Sequence, residues 1–412
     1  MGNNDKMISV EKALGRILSG ISTKSQHEIT DIFNCDGRTL FYDIVAEFNV
    51  PSKNNSAMDG YAISSEDIKS ANSVNSVTLD IIDEIQAGSE LKGEKIKSGC
   101  AIRIMTGAPI PEGADSVIPF EDTEETGKIV KIFKSTVKNE NIRFAGEDIK
   151  KGNIVLKKGT RIDSAEIGVL SSLNFNIITV FEKPKVAIIS TGNELSEPGY
   201  DYNGKIINSN AYTIYSEVKK YGGEPIYGGI VRDTYDDVKN MFLRFLDNDI
   251  IISSGGVSMG RYDFIPDVLK DIGVDIKIHK VMMKPGKPII FGVKGEKAFF
   301  GLPGNPVSVM VSFMQFVRPA ILKMGGNIQI SKPLVKAKTK EQIIKKKGRK
   351  HFIRGFFNIE EGKFLVSTTG PQGSGILTSM SSANCLIILP EDVEVVESGE
   401  MVDIQLIGHS EI

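Results

Sequence analysis

The residues best suited to chemistry lie where strands should end. The stretch Asp249-Ile250-Ile251-Ile252-Ser253-Ser254-Gly255-Gly256-Val257-Ser258-Met259-Gly260 reads as a buried strand running into a loop of small residues. Glycine lets a ligand approach the backbone, and amides freed at the end of a parallel strand cradle anions. Ser254, Gly255, Gly256 and Ser258 are the candidate contacts. Further loops, Ser190-Thr191-Gly192-Asn193-Glu194, Val231-Arg232-Asp233 and Gly260-Arg261-Tyr262-Asp263, carry Glu194, Asp233 and Asp263 to the same edge. Converging carboxylates repel, and a divalent cation with oxygen ligands relieves the repulsion. Helix capping by Asp233 and Asp263 is the plainer alternative. Lys280, Lys284 and Lys287 flank a Pro285-Gly286 turn, an arrangement suited to phosphate or another oxyanion. Pro303-Gly304-Asn305-Pro306 predicts a helix capped by Asn305, whose first amides and positive dipole end face the same way.

The elements that must position these loops follow from periodicity. From Lys185 to Gly325 strands and helices alternate, which predicts a three-layer α/β domain with a mostly parallel sheet. Right-handed crossovers put the loops on one sheet edge. Val10, Leu14, Ile17 and Leu18 mark one N-terminal helix, and Ile29, Ile32, Phe33 and Leu40 suggest another helix or two. Short alternating runs between Val50 and Phe144 read as an inserted β-rich domain, and the C-terminal part as a small β-barrel. The division expected is 1–48 with 145–180 (helical), 49–144 (inserted β), 181–328 (α/β) and 329–412 (barrel). Val307 to Val317 reads as a core helix stopped by Arg318-Pro319, too short and polar to span a bilayer. The basic run Lys345-Lys346-Lys347-Gly348-Arg349-Lys350 reads as a solvated hairpin tip.

A length of 412 residues needs several cores. A net charge of −2, 7% aromatics and no Trp give no reason to expect nucleic acid or a membrane as partner. Cys35, Cys100 and Cys385 form no CxxC, which argues against zinc or disulfides and favours a reducing cytoplasm.

The ordered set NSAMDGYA, RIMTGAP, IRFAGEDI, STGNEL, VRD, SSGGVSMGRYDF, KVMMKPGKP, LPGNPVS and FIRG resembles the molybdopterin molybdenumtransferases. These are the MoeA proteins of bacteria and the E domain of gephyrin-type proteins. The resemblance spans nearly the whole chain. It implies a homodimer with a cleft shared between subunits. The reaction implied takes adenylylated molybdopterin and molybdate, with Mg²⁺, inserts the metal into the dithiolene and releases AMP. Carried over by motif, Asp59, Thr106, Arg143 and Asp148 belong to the inserted β domain. Glu194, Asp233, Asp263, Lys280 and Lys284 line the α/β cleft, with Glu194, Asp233 and Asp263 as metal ligands. Asp59, Thr106, Asp233, Asp263, Lys280 and Lys284 are the expected catalytic set. Pro303, Gly304 and Asn305 join the ligand contacts, and Arg354 and Ser374 come from the barrel. Asn193 and Asn208 stand where relatives often carry Asp, so they bring no charge. An adenylylating enzyme of the preceding step and a scaffold are the rival readings. The motifs at Asp59 and Thr106 and the lack of a long linker weigh against them.

Overall fold

A computed structural model of the chain describes residues 7–91, 93, 95–200, 204–257 and 263–407. Ser258 lies outside the described residues. The chain forms two compact units. One takes Asp43–Lys158 and Ser164–Asn176; the other takes the residues up to Tyr42, Gly159–Asp163, and Ile177 onward.

The smaller unit is built on a six-stranded sheet. Its order is Ser116–Pro119, Gly60–Ile63, Cys100–Ile104, Val77–Ile85, Ile129–Ile132 and Thr123–Thr126. Side chains alternate between faces, so Tyr61, Ile63 and Ile118 enter one core while Ala62, Ile102 and Val117 enter another. Gly60 is required by close backbone approach, because a Cβ there would sit 2.0 Å from the Ile118 carbonyl oxygen.

The larger unit contains the α/β sheet. Strands Glu224–Val231, Lys185–Thr191, Ile250–Ser254 and Lys297–Leu302 run parallel in that order. Pro288–Lys294 and Asp275–Lys280 extend the sheet antiparallel. Ile250, Ile251 and Ile252 are fully buried, each contributing about 1.5–3 kcal/mol. Ile250 and Ile252 face one core with helix Ser209–Lys220, and Ile251 faces the other with helices Tyr235–Arg244 and Ile265–Asp271. A parallel strand covered on both faces reads as a continuous apolar run.

Beyond it, strands Lys350–Glu360, Lys363–Thr368, Val335–Thr339, Met401–Leu406 and Cys385–Leu389 follow one another. The last pairs back with the first, closing a barrel.

Three expectations are corrected. Ile29 and Phe33 belong to strand His27–Asp31 and a following 3₁₀ turn, paired with Ile177–Phe181, and both are exposed. Apolar spacing alone did not distinguish a strand face from a helix stripe. Pro319 does not end the core helix, which continues from Pro306 to Met324 with 83% buried inside the fold. A π turn at Phe313–Val317 absorbs the proline's missing donor and ring bulk. Lys345 is not solvated; its ammonium is buried and donates to the carbonyls of Arg349 (3.2 Å) and Glu391 (3.3 Å).

Gly60→Ala should lower the stability of the smaller unit by about 1–3 kcal/mol through overpacking. Urea titration followed by amide exchange in that unit would show it, and an unchanged midpoint would mean the backbone yields freely.

Candidate functional site

The parallel strand ends converge on a cleft of ≈ 290 Å³. It is lined by Thr191, Glu194, Asp233, Gly255, Gly256, Val257, Asp263, Pro288, Pro303, Gly304 and Asn305. Gly255 and Gly256 have φ of 95° and 62°, a region costly for residues with a Cβ. A Cβ at Gly255 would meet the Thr191 carbonyl oxygen at 2.6 Å. The Thr191 hydroxyl is buried there and has no hydrogen-bond partner among the described residues. An orphaned donor beside a glycine cradle suits a ligand oxygen.

Asn210 fixes the loops. Its side-chain amide donates to Ser254 Oγ (2.9 Å) and to the Gly304 carbonyl (2.8 Å). Ser254 therefore sits beneath the loop as a support. Asn208 is buried and structural: it caps helix Ser209–Lys220 through Ala211 N–H, accepts from Ser190 and donates to the Tyr227 hydroxyl. Its neutrality suits that place.

Neither aspartate serves as the N-cap. Thr234 caps helix Tyr235–Arg244, and Phe264 occupies the N-cap of helix Ile265–Asp271. Asp233 instead accepts from the Asn193 backbone N–H at 3.2 Å. Burial raises the Asp233 pKa, and Glu194 and Asp263 raise it further, while the Asn193 bond opposes them. The three carboxylates thus share one electrostatic neighbourhood. Among the described residues no three His, Cys, Asp or Glu side chains form a ready-made metal site. Asn305 occupies the N-cap without a side-chain capping bond. One of the helix's first amides, Val307 N–H, is taken by the Ser374 carbonyl at 3.1 Å.

A second, basic cavity of ≈ 840 Å³ shares Pro288 with the first. Lys284, Lys287, Lys345, Lys346, Arg349, Arg354 and Ser374 line it, with Glu394 and His351. Arg354 is buried and donates through Nε to Ser379 Oγ and through Nη2 to the Gly373 carbonyl, both at 3.0 Å. Both partners are neutral, and burial lowers its pKa. Sequence patterns did not single out Lys345, His351 or Thr191 as cavity residues, since burial of the first two arises from distant chain.

Lys280 lies elsewhere. It lines a pocket of ≈ 500 Å³ with Lys12, Arg16 and Lys277. The segment at Ile8 runs beside it, with Ile8 N–H donating to the Lys280 carbonyl.

In the smaller unit three motifs meet. Ser56 N–H donates to the Ala108 carbonyl, Gly107 N–H to the Ser56 carbonyl, and Arg143 pairs in register with Asn55. Asp59 Oδ1 accepts from Thr106 N–H and Thr106 Oγ1, each at 2.7 Å. The backbone bond and then the hydroxyl bond hold the Asp59 pKa down. Arg143 and Asp148 are exposed on the returning chain.

Thr106→Val should raise the Asp59 pKa while retaining the fold, since one stabilising donor is lost. Carboxyl NMR against pH measures it; an unmoved titration would show that the backbone donor suffices.

Residues 8–174 match the MoeA N-terminal region (domains I and II), 187–323 a probable molybdopterin binding domain, and 336–407 the MoeA C-terminal region (domain IV). The molybdopterin molybdenumtransferase of Haemophilus influenzae is 37% identical, over 98% of this chain and 99% of that protein. That of Staphylococcus epidermidis is 36% identical, over 97% and 95%. A crystal structure of the molybdopterin biosynthesis moeA protein of Pyrococcus horikoshii is similar, with a TM-score of 0.85 at 34% identity, covering 98% of this chain and 100% of that one.

Proposed function

The chain belongs to the MoeA family and acts in molybdenum cofactor biosynthesis as a transferase, and we propose how its two cavities divide that work. The observation that carries the reading is the imbalance of charge: carboxylates line the glycine-loop cleft, while the cavity across Pro288 is lined by Lys284, Lys287, Lys345, Lys346, Arg349 and Arg354 against Glu394. Adenylylated molybdopterin carries phosphates joined by an anhydride, and molybdate is itself an anion. Lys284, Arg349 and Arg354 bind oxyanions in the basic cavity by charge-assisted hydrogen bonds. The Gly255–Gly256 loop and the Thr191 hydroxyl hold the pterin's terminal phosphate, the Gly255 N–H itself being spent on the Leu302 carbonyl at 3.1 Å.

A phosphate beside Glu194, Asp233 and Asp263 needs a cation between them. Mg²⁺ fits the oxygen donors present and the raised Asp233 pKa. It is commonly held by one or two carboxylates together with substrate phosphates, so three protein ligands are not needed. Asp233 and Asp263 would hold it, and when bound it neutralises phosphate charge and activates water for anhydride cleavage. Asp233 and Asp263 would also position the attacking water, while the basic side chains would retain the charge that develops on the departing AMP. Proton competition at Asp233 makes cation affinity fall as pH is lowered.

The dimer is part of the reading. Asp59, Thr106, Arg143 and Asp148 of one subunit complete the site of the other. The four-part division at 48/49, 144/145, 180/181 and 328/329 and a cytoplasmic setting complete it. The setting accords with three free cysteines.

Purified protein given adenylylated molybdopterin, molybdate and Mg²⁺ should release AMP and form active cofactor; failure to do either would sink the reading. Asp263→Asn should slow turnover at least about tenfold while the fold is kept. Full activity in that variant would remove Asp263 from the mechanism. Light scattering should give a dimer mass, and a monomer would contradict the shared site.

A further inference from the structure

Strand Lys350–Glu360 lays His351 along the wall of the basic cavity. Its backbone stands in register with Lys284 on one side and Leu389 on the other. The residue is only 7% exposed. The charges bearing on its ring are all cationic: Lys345, Lys284 and Arg349. The nearby acids bear on the lysines: Glu391, Asp392 and Glu394 act on Lys345, Glu394, itself on the cavity wall, pairs with Lys347 at 3.6 Å, and Lys350 turns to Glu11. Burial, then these cations, push the imidazole pKa down to about 4. At neutral pH the ring is therefore an uncharged group among fixed positive ones. An anion seated in the cavity offsets the cationic part of that shift, while burial remains.

We propose that His351 is a proton-coupled member of this anion site, taking up a proton from solvent when a tetrahedral oxyanion occupies the cavity. The inference rests on the reading that the cavity receives the anionic parts of the substrates. The sign follows from linkage. The occupied state has the higher imidazole pKa and so binds more protons. Affinity therefore rises as pH falls through the occupied-state pKa. It levels off below the free-state value of about 4.

The test uses the full chain and inorganic sulfate, a tetrahedral dianion that keeps its charge from about pH 4 to about pH 8. The chain has four histidines, so ring signals are few, and the one missing in His351→Gln assigns itself. With sulfate that signal should titrate about one unit or more higher. Calorimetry should show sulfate binding several-fold tighter at the acid end in the wild type, and a shallower profile in His351→Gln, in which only carboxylates such as Glu394 remain to titrate. Lys345→Gln should raise the His351 titration without any anion. Sulfate binding with an unmoved His351 signal, or with equal pH dependence in both proteins, overturns this inference and leaves the cavity's anion role standing. An absence of sulfate binding overturns both.

Discussion

Opposite charges placed together neutralise each other and leave nothing for a ligand, so the site depends on keeping them apart. Pro288 is the wall between Glu194, Asp233 and Asp263 on one side and Lys284, Arg349 and Arg354 on the other. Each basin thus keeps a net charge of one sign. Burial first, and then the like charges nearby, raise the Asp233 pKa and lower that of His351. A fold can bear such cost only where packing elsewhere fixes the loops, which here is the work of a sheet buried on both faces and of the Asn210 amide.

The α/β sheet and its ligand edge were legible because the signals are local. The run at Ile250 to Ile252 announces a doubly covered strand, and Gly255 and Gly256 announce a backbone conformation that other residues avoid. Parallel order then sends Glu194, Asp233 and Asp263 to one edge by topology alone. The barrel was legible from its short strands, although its closure by Lys350–Glu360 with Cys385–Leu389 was not in the pattern.

What the sequence concealed was set by distant chain. Lys345 looked like a surface lysine because its neighbours are basic, and it is buried by carbonyls that include one 46 residues away. Lys280 and Lys284 looked like partners across a turn, yet the segment at Ile8 runs beside Lys280 in a separate pocket. Pro319 looked like a stop because its missing donor normally breaks a helix, and the preceding π turn removes the need for that donor. In each case the local rule is sound, and tertiary context supplies the compensation.

The wall at Pro288 has a consequence for how products leave. A substrate with one anionic end in each basin is a bivalent ligand, and each bound end raises the effective concentration of the other. Cutting the anhydride severs that link without moving either half. The same side chains then hold two monovalent fragments, each with only its own affinity. On the proposed reading, bond cleavage loosens the products by itself, and turnover needs no separate opening motion to free them.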